Sequence, residues 1–229
     1  MLNVLYEDNH LIIVEKPQNV PSQEDETGDL DMLAIVKRYI KEKYNKPGNV
    51  YVGLVHRLDR PTGGLMVFAK TSKSAERISK QIRDKIFKKY YLAVVEGEPI
   101  KENSILINYL KKDNKNNIVK VVSQDEAGAK DAKLEYNTLC KNKDNISLLK
   151  VELFTGRSHQ IRVQLSNIGN PIIGDMKYGS RIKNFKNLSL WAYKIKFMHP
   201  TTNKVMEFKL LPPVESEPWN SFDFKTVNL

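Results

Sequence analysis

The chemistry in this chain begins with one aspartate set among cations. The stretch GLVHRLDRPTGGLMVFAKT, residues 53–71, places His56, Arg57, Asp59 and Arg60 within five positions. A Thr62-Gly63-Gly64 turn and an apolar run follow directly. Such a polar island is either a well-paired turn or a reactive carboxylate. In the first case Asp59 caps the Thr62 turn and pairs with Arg57 or Arg60, and an isolated RLDR favours that reading because short charged motifs are weak signals. HRLD shares its letters with the catalytic loop of protein kinases, but the chain has no upstream Gly-rich loop, no Asp-Phe-Gly and no Asn at the required spacing. A retaining glycosidase needs a second cooperating carboxylate, and none presents itself.

A second cluster, TGRSHQIRVQL, shifts the balance. Arg157, His159, Gln160 and Arg162 crowd the start of one short expected helix. At a helix N-terminus, free N–H groups and guanidinium charge together make an anion site. The anion could be a phosphate or the Asp59 carboxylate, and a solvated basic face explains the same residues equally well.

Several elements must position these groups. NVLYEDNHLIIVEKP reads as two strands around an Asp8-Asn9 turn, with Pro17 ending the second and Lys16-Pro17 mainly a structural strand end. The polar stretch at 18–28 reads as an exposed loop. Leu30, Leu33, Val36, Ile40 and Tyr44 predict a helix over about 29–45. Ala75, Ile78, Ile82 and Ile86 predict another over about 72–87, with Lys73, Lys80, Arg83 and Lys85 on its other face. KKYYLAVVEG looks like a buried strand, residues 111–117 a charged turn between strands, and KLEYNTL and ISLLKVELF two further strands. Ser158 is the expected cap of a helix that turns Ile161, Leu165 and Ile168 inward and stops at Gly169. Trp191, Tyr193, Ile195 and Phe197, then Met206, Phe208 and Leu210, alternate as strands with one buried face. Strands and helices mix without a βαβ rhythm, which predicts one α+β domain over residues 1–229, a mixed, mainly antiparallel sheet flanked by helices.

Bulk composition narrows the function class. Lys plus Arg number 37 against 27 Asp plus Glu, a formal charge of +10, which suggests a polyanionic partner such as nucleic acid. The single Cys140 rules out an intramolecular disulfide and a Cys-rich zinc site. The N-terminal residues carry Glu7 and Asp8 where a signal peptide would be basic, and no apolar run approaches the roughly 20 residues needed to span a bilayer. A cytoplasmic setting, no membrane contact and no obligate protein partner are the expectations.

Five collinear stretches together resemble the RluA-type RNA pseudouridine synthases: IIVEKPQNVP, HRLDRPTGGLMVFAKT, KKYYLAVVEG, TGRSHQIRVQLSNIGNPIIGDMKYG and FMHPTTNKVMEFKLLPP. The resemblance covers nearly the whole chain in order. It implies that Asp59 is the catalytic aspartate, that Tyr91 stacks on the target base, and that Arg162 pairs with the aspartate. It also implies that His56 and Arg57 engage the RNA, and the polar cluster at the expected helix start makes Arg157, His159 and Gln160 candidates for the same task. The commoner Thr-Ser-Gly after the aspartate is here Thr62-Gly63-Gly64. The small N-terminal RNA-binding module of many members is expected to be missing, since the chain starts on the catalytic domain's first strand.

The reaction implied breaks the N–C glycosidic bond of uridine, rotates the uracil and rejoins it through carbon 5. It needs no redox step, metal or cofactor, so none is expected. Attack on the ribose, a glycal route and addition to the base all remain open. The expected function is isomerisation of specific uridines in transfer or ribosomal RNA, with a stem-loop as target. An RNA-binding protein of the same fold without activity is the alternative.

Overall fold

The structure is a computed structural model that describes residues 2–182, 185, 187–227 and 229. In chain order the first half contains β1 (Val4–Glu7), β2 (Leu11–Lys16), α1 (Met32–Lys43), β3 (Gly53–Leu54), β4 (Gly63–Ala69), α2 (Ser72–Arg83) and β5 (Lys88–Glu96). Then come β6 (Asn103–Asp113), β7 (Ile118–Val122), β8 (Lys130–Lys141) and β9 (Ile146–Leu153). The last elements are α3 (Gln160–Asn167), a 3-10 turn at Met176–Tyr178, β10 (Leu190–Met198) and β11 (Val205–Lys209), with a final 3-10 turn at Trp219–Ser221. This is the expected α+β fold with a mainly antiparallel sheet. By its contacts the chain divides into two compact units, Met1–Lys88 with Ala192–Leu210, and Lys89–Trp191 with Leu211–Leu229.

In the first unit the strands follow the order β1-β2-β4-β10, with β3 on β4 and β11 on β10. Asp8 makes the β1–β2 turn by accepting the N–H groups of His10 and Leu11, both at 2.7 Å. Alternation along β2 and β4 sends Leu11, Ile13, Leu65, Val67 and Ala69 to one face, where they meet Ile78 of α2, Phe87, Ile195 and Phe197. Ile12, Val14, Met66 and Phe68 on the opposite face are also fully buried, so both faces of this sheet are covered. The helices start where side chains satisfy their first N–H groups: Asp31 accepts from Ala34, and Thr71 from Ser74.

Two helix readings need adjustment. The buried face of α1 is Met32, Val36 and Ile40, while Leu30 and Tyr44 lie beyond its ends and are exposed. Likewise α2 stops at Arg83, because Lys85 takes a left-handed conformation (φ 60°), which leaves Ile86 outside the helix and 47% exposed.

In the second unit β5-β9-β8-β6-β7 form an antiparallel series. The register aligns Tyr91 with Val151 and Val151 with Tyr136, so these three share a face. Ala132 lies on that face two positions along each step, and it packs with Val163 of α3, Leu110, Val119 and Tyr178. The same face of the sheet therefore carries Tyr91 and the helix with the second polar cluster. Lys111, Lys112 and Asp113 belong to β6, so the charged turn is shorter than expected. Ser158 is not the cap of α3. His159 occupies that position in a left-handed conformation (φ 52°) with no side-chain cap bond, which leaves Ser158 outside the helix.

Candidate active site

Asp59 stands on a loop between β3 and β4, in the first unit. The Thr62 N–H donates to the Asp59 carbonyl at 2.9 Å, so the turn is closed by the aspartate's backbone. Five backbone groups between Leu58 and Thr62 are held by residues 16–22. The fully buried Lys16 donates its ammonium hydrogens to the carbonyls of Pro17 (3.0 Å), Arg60 (2.9 Å) and Thr62 (2.7 Å). Ser22 donates to the Leu58 carbonyl at 2.7 Å and accepts the Leu58 N–H at 3.1 Å. The Gln18 amide donates to the Pro61 carbonyl (3.1 Å), and the Asn19 N–H to that of Arg60 (2.8 Å). Arg60 reaches outward to Thr27, Asp25 and Asp29. Only the second part of the stretch at 18–28 is the exposed loop expected, since Pro21 and Ser22 are buried.

The carboxylate side chain itself is half-buried. Burial pushes the Lys16 ammonium down to about 7, Arg60 pushes the same way, and the Asp59 carboxylate pulls against both. A lysine in the floor of the loop thus senses the charge of the aspartate above it. Gly64 follows with φ 115°, and a Cβ there would lie 2.4 Å from the Ala192 carbonyl oxygen, so only glycine fits. His56 is half-buried: its Nε2 accepts the Val67 N–H at 3.0 Å and its ring lies 5.6 Å from that of Phe87. Arg57 is exposed.

The other candidate residues lie in the second unit. Tyr91 is buried on β5. Arg162 is buried in α3 and grips Asp175 with two bonds, Nε to Oδ2 at 2.6 Å and Nη2 to Oδ1 at 2.8 Å. Its guanidinium also lies 5.0 Å from the centre of the Tyr178 ring. The Tyr178 hydroxyl accepts the Val119 N–H (2.9 Å) and meets Nδ1 of His159 at 2.7 Å. Arg157 donates to the Asp131 carbonyl (2.8 Å) and carboxylate (2.5 Å). Gln160 is buried and its amide is engaged on both sides. Its oxygen accepts from Thr155 and from the Arg157 N–H, and its nitrogen donates to the Lys133 carbonyl and to Gln164.

The polar crowd at 157–162 therefore sorts into two inner residues, Gln160 and Arg162, and two at the rim, Arg157 and His159. Lys16, Ser22, Asp175 and Tyr178 were given no such part by sequence reasoning. The GDMKYG motif contains the last two, but nothing in its letters says that Asp175 faces Arg162 from 13 positions away. Among the described residues, no group of three or more His, Cys, Asp or Glu could hold a metal ion, and no helix is long and apolar enough to cross a membrane.

The family model for RNA pseudouridylate synthase matches residues 10–167, which contain both clusters. The chain belongs to that family. Its members are isomerases that convert uridine in RNA to pseudouridine. An RNA pseudouridine synthase of Bacillus subtilis is 33% identical over 207 residues, 90% of this chain and 67% of that protein. The ribosomal large subunit pseudouridine synthase C of Buchnera aphidicola subsp. Schizaphis graminum is 34% identical over 213 residues, 89% of this chain and 65% of that one. The chain thus spans about two thirds of the length of these relatives. Human RNA pseudouridylate synthase domain containing 4 has the same fold, with a TM-score of 0.78 at 21% identity over 92% of this chain and 88% of that one.

Proposed function

We propose that this chain isomerises a defined uridine in ribosomal or transfer RNA, with Asp59 as the catalytic carboxylate. The observation that carries the proposal is the treatment of the Asp59 turn. Lys16, Gln18, Asn19 and Ser22 hold its backbone from Leu58 to Thr62, which is far more fixation than an exposed ion pair needs. A carboxylate that must act on one atom of a bound nucleotide requires that pre-organisation. Large-subunit ribosomal RNA is the first target to try, because it stands in the name of the Buchnera relative.

In this reading Tyr91 offers its ring to the extruded uracil, and Arg162 is the arginine that the family pairs with its aspartate. Asp175 holds Arg162 in one rotamer by a bidentate grip. Gln160 shapes the loop that carries Arg157, because its oxygen binds that residue's N–H. Extruding a base costs a few kcal/mol, which stacking and phosphate contacts offset. The reaction is balanced within the nucleotide. The N1–C1′ bond breaks, the C5–C1′ bond forms, C5 loses its proton and N1 gains one. Specific readers of RNA use unstacked loop bases, so the target is a hairpin loop.

The test is to incubate the protein with ribosomal and transfer RNA lacking pseudouridine and to map the modified positions. Wild type should modify a small set of uridines. Asp59→Ala should modify none while still binding the RNA. Turnover near wild type in Asp59→Ala would remove this residue from the mechanism.

A further inference from the structure

The mechanism leaves the half-buried Lys89 unused. Lys89 opens the β5 segment of the second unit, two positions before Tyr91, and strand alternation puts both side chains on one face. It is half-buried, yet among the described residues it has neither an ion pair nor a hydrogen bond. Its surroundings only penalise its charge, and burial pushes its pKa down with no carboxylate to oppose the shift. Two neighbouring cations do have carboxylate partners: Arg157 has Asp131, and Arg162 has Asp175. A lysine stem alone could serve as packing, but its ammonium has a definite neighbour. It lies against Gly156, where a Cβ would come within 3.3 Å of Nζ. Gly156 is exposed, stands in the middle of the TGR turn and has no side chain to cover the ammonium from that side.

We propose that Lys89 is a phosphate-binding residue that receives an RNA phosphodiester next to the uridine whose base stacks on Tyr91, with Gly156 as the gap through which that phosphate approaches. The proposal rests on the function given above and deepens it. Its chemistry is that of a missing counter-charge. A half-buried ammonium without a partner costs folding free energy, and an incoming phosphate restores the partner on binding. Residues two apart on a strand lie roughly 7 Å apart along it, a step that matches the distance from a base to its own backbone phosphate. Arg157, on the same turn as Gly156, already has a carboxylate to give up, so Lys89 is the group whose charge is wholly available.

The experiment measures RNA affinity against salt in an Asp59→Ala background, so that turnover plays no part. The probes are a short oligouridylate and large-subunit ribosomal RNA, with inorganic phosphate at matched ionic strength as competitor. Lys89→Met should lower affinity about tenfold and reduce the slope of log affinity against log salt by about one. Its urea midpoint should stay level or rise, because a desolvated charge is removed. Gly156→Ala should weaken binding in the same direction, with Lys89 still present. Inorganic phosphate should displace neither RNA at millimolar levels, since it lacks the base that fills the Tyr91 face. An unchanged salt slope in Lys89→Met overturns the proposal. So does a fall in affinity matched by a fall in stability, which makes Lys89 structural, or displacement of RNA by inorganic phosphate alone. Failure of the protein to bind either RNA sinks the functional reading beneath it, and that outcome is visible before any Lys89 variant is made.

Discussion

The Asp59 loop and the Thr155–Arg162 turn and helix are fixed in opposite ways. The first is held by its backbone: a buried ammonium, a hydroxyl and an amide reach up from residues 16–22 to its carbonyls and N–H groups. The second is held through its side chains, with Arg162 on Asp175, Gln160 on Gln164 and Thr155, and Arg157 on Asp131. Backbone fixation does not require the loop's polar side chains as internal partners. That suits the function proposed for this segment, in which one carboxylate is placed while its neighbours meet RNA. Side-chain fixation spends the polar groups themselves, so much of the apparent anion site at 157–162 is internal structure.

The largest expected effect lies on the side-chain-fixed region. Asp175→Ala leaves the buried guanidinium of Arg162 without its bidentate partner, and breaking a buried pair from one side costs about 3–5 kcal/mol. Urea denaturation of the purified variant should show that loss together with strongly reduced turnover. Asp175→Asn keeps one acceptor and should lose less. Equal stability of Asp175→Ala and wild type would mean that Arg162 does not depend on this carboxylate, and the contrast between the regions would weaken.

Next comes the floor of the Asp59 loop. Lys16→Met strips three carbonyls of a donor but also relieves the burial of a charge, so the net loss should be about 2–4 kcal/mol. A pH series separates the two terms. The folded pKa of Lys16, about 7, lies below the usual lysine value of 10.5. The unfolded chain therefore holds more protons than the folded one between those values. The burial penalty is complete below pH 7 and relieved as the pH rises towards 10.5, so this residue makes wild-type stability climb across that window. In Lys16→Met the climb should vanish. A climb of the same size in the variant would assign it to another group.

These two residues also show how far the letters reach. Strands announced themselves because burial on one face imposes a period of two, as in Ala132, Leu134 and Tyr136 of β8. Asp8 and Gly169 marked turns because their local chemistry is self-contained. Asp59 and Arg162 stood out through their polar clusters, and with Tyr91 took their expected roles from the family resemblance, not from periodicity. What stayed hidden were polar groups buried by distant partners. Lys16 reads as no more than a strand end until Arg60 and Thr62 arrive 44 and 46 positions later. Ser22 sits in a polar stretch that looks like open loop, and its partner Leu58 is 36 positions away. In α3 the letters Gln160 and Arg162 fit an anion site or a solvated face equally well, yet both side chains are buried against internal partners. No local pattern encodes a polar side chain whose partner lies on another element.

Ser22 supplies the third prediction, a step smaller than Lys16. Its hydroxyl both donates to and accepts from Leu58, the residue before Asp59. Ser22→Ala leaves a buried N–H and carbonyl without that partner and should cost about 1–3 kcal/mol. Because the bond acts on the loop's backbone, turnover should fall more than RNA affinity does. Equal falls in both would make Ser22 a general stabiliser, not a positioning residue.

The smallest effects belong to the rims, where the two regions can be compared most directly. Arg60 lies among Asp25, Asp29 and the Thr27 hydroxyl, while Arg157 pairs with Asp131. All these groups are substantially exposed, so Arg60→Ala and Arg157→Ala should each shift stability by less than about 1 kcal/mol. RNA should tell them apart. Two carboxylates around one guanidinium leave a local charge of −1, which opposes an approaching phosphate. Arg157 with Asp131 is neutral, and exchanging that carboxylate for a phosphate costs little. Arg157→Ala should therefore reduce the salt dependence of RNA binding by about one counterion, and Arg60→Ala should leave it unchanged. If Arg60→Ala gives the larger change, the phosphate path runs over the Asp25–Asp29 loop, and the backbone-fixed region carries binding as well as chemistry.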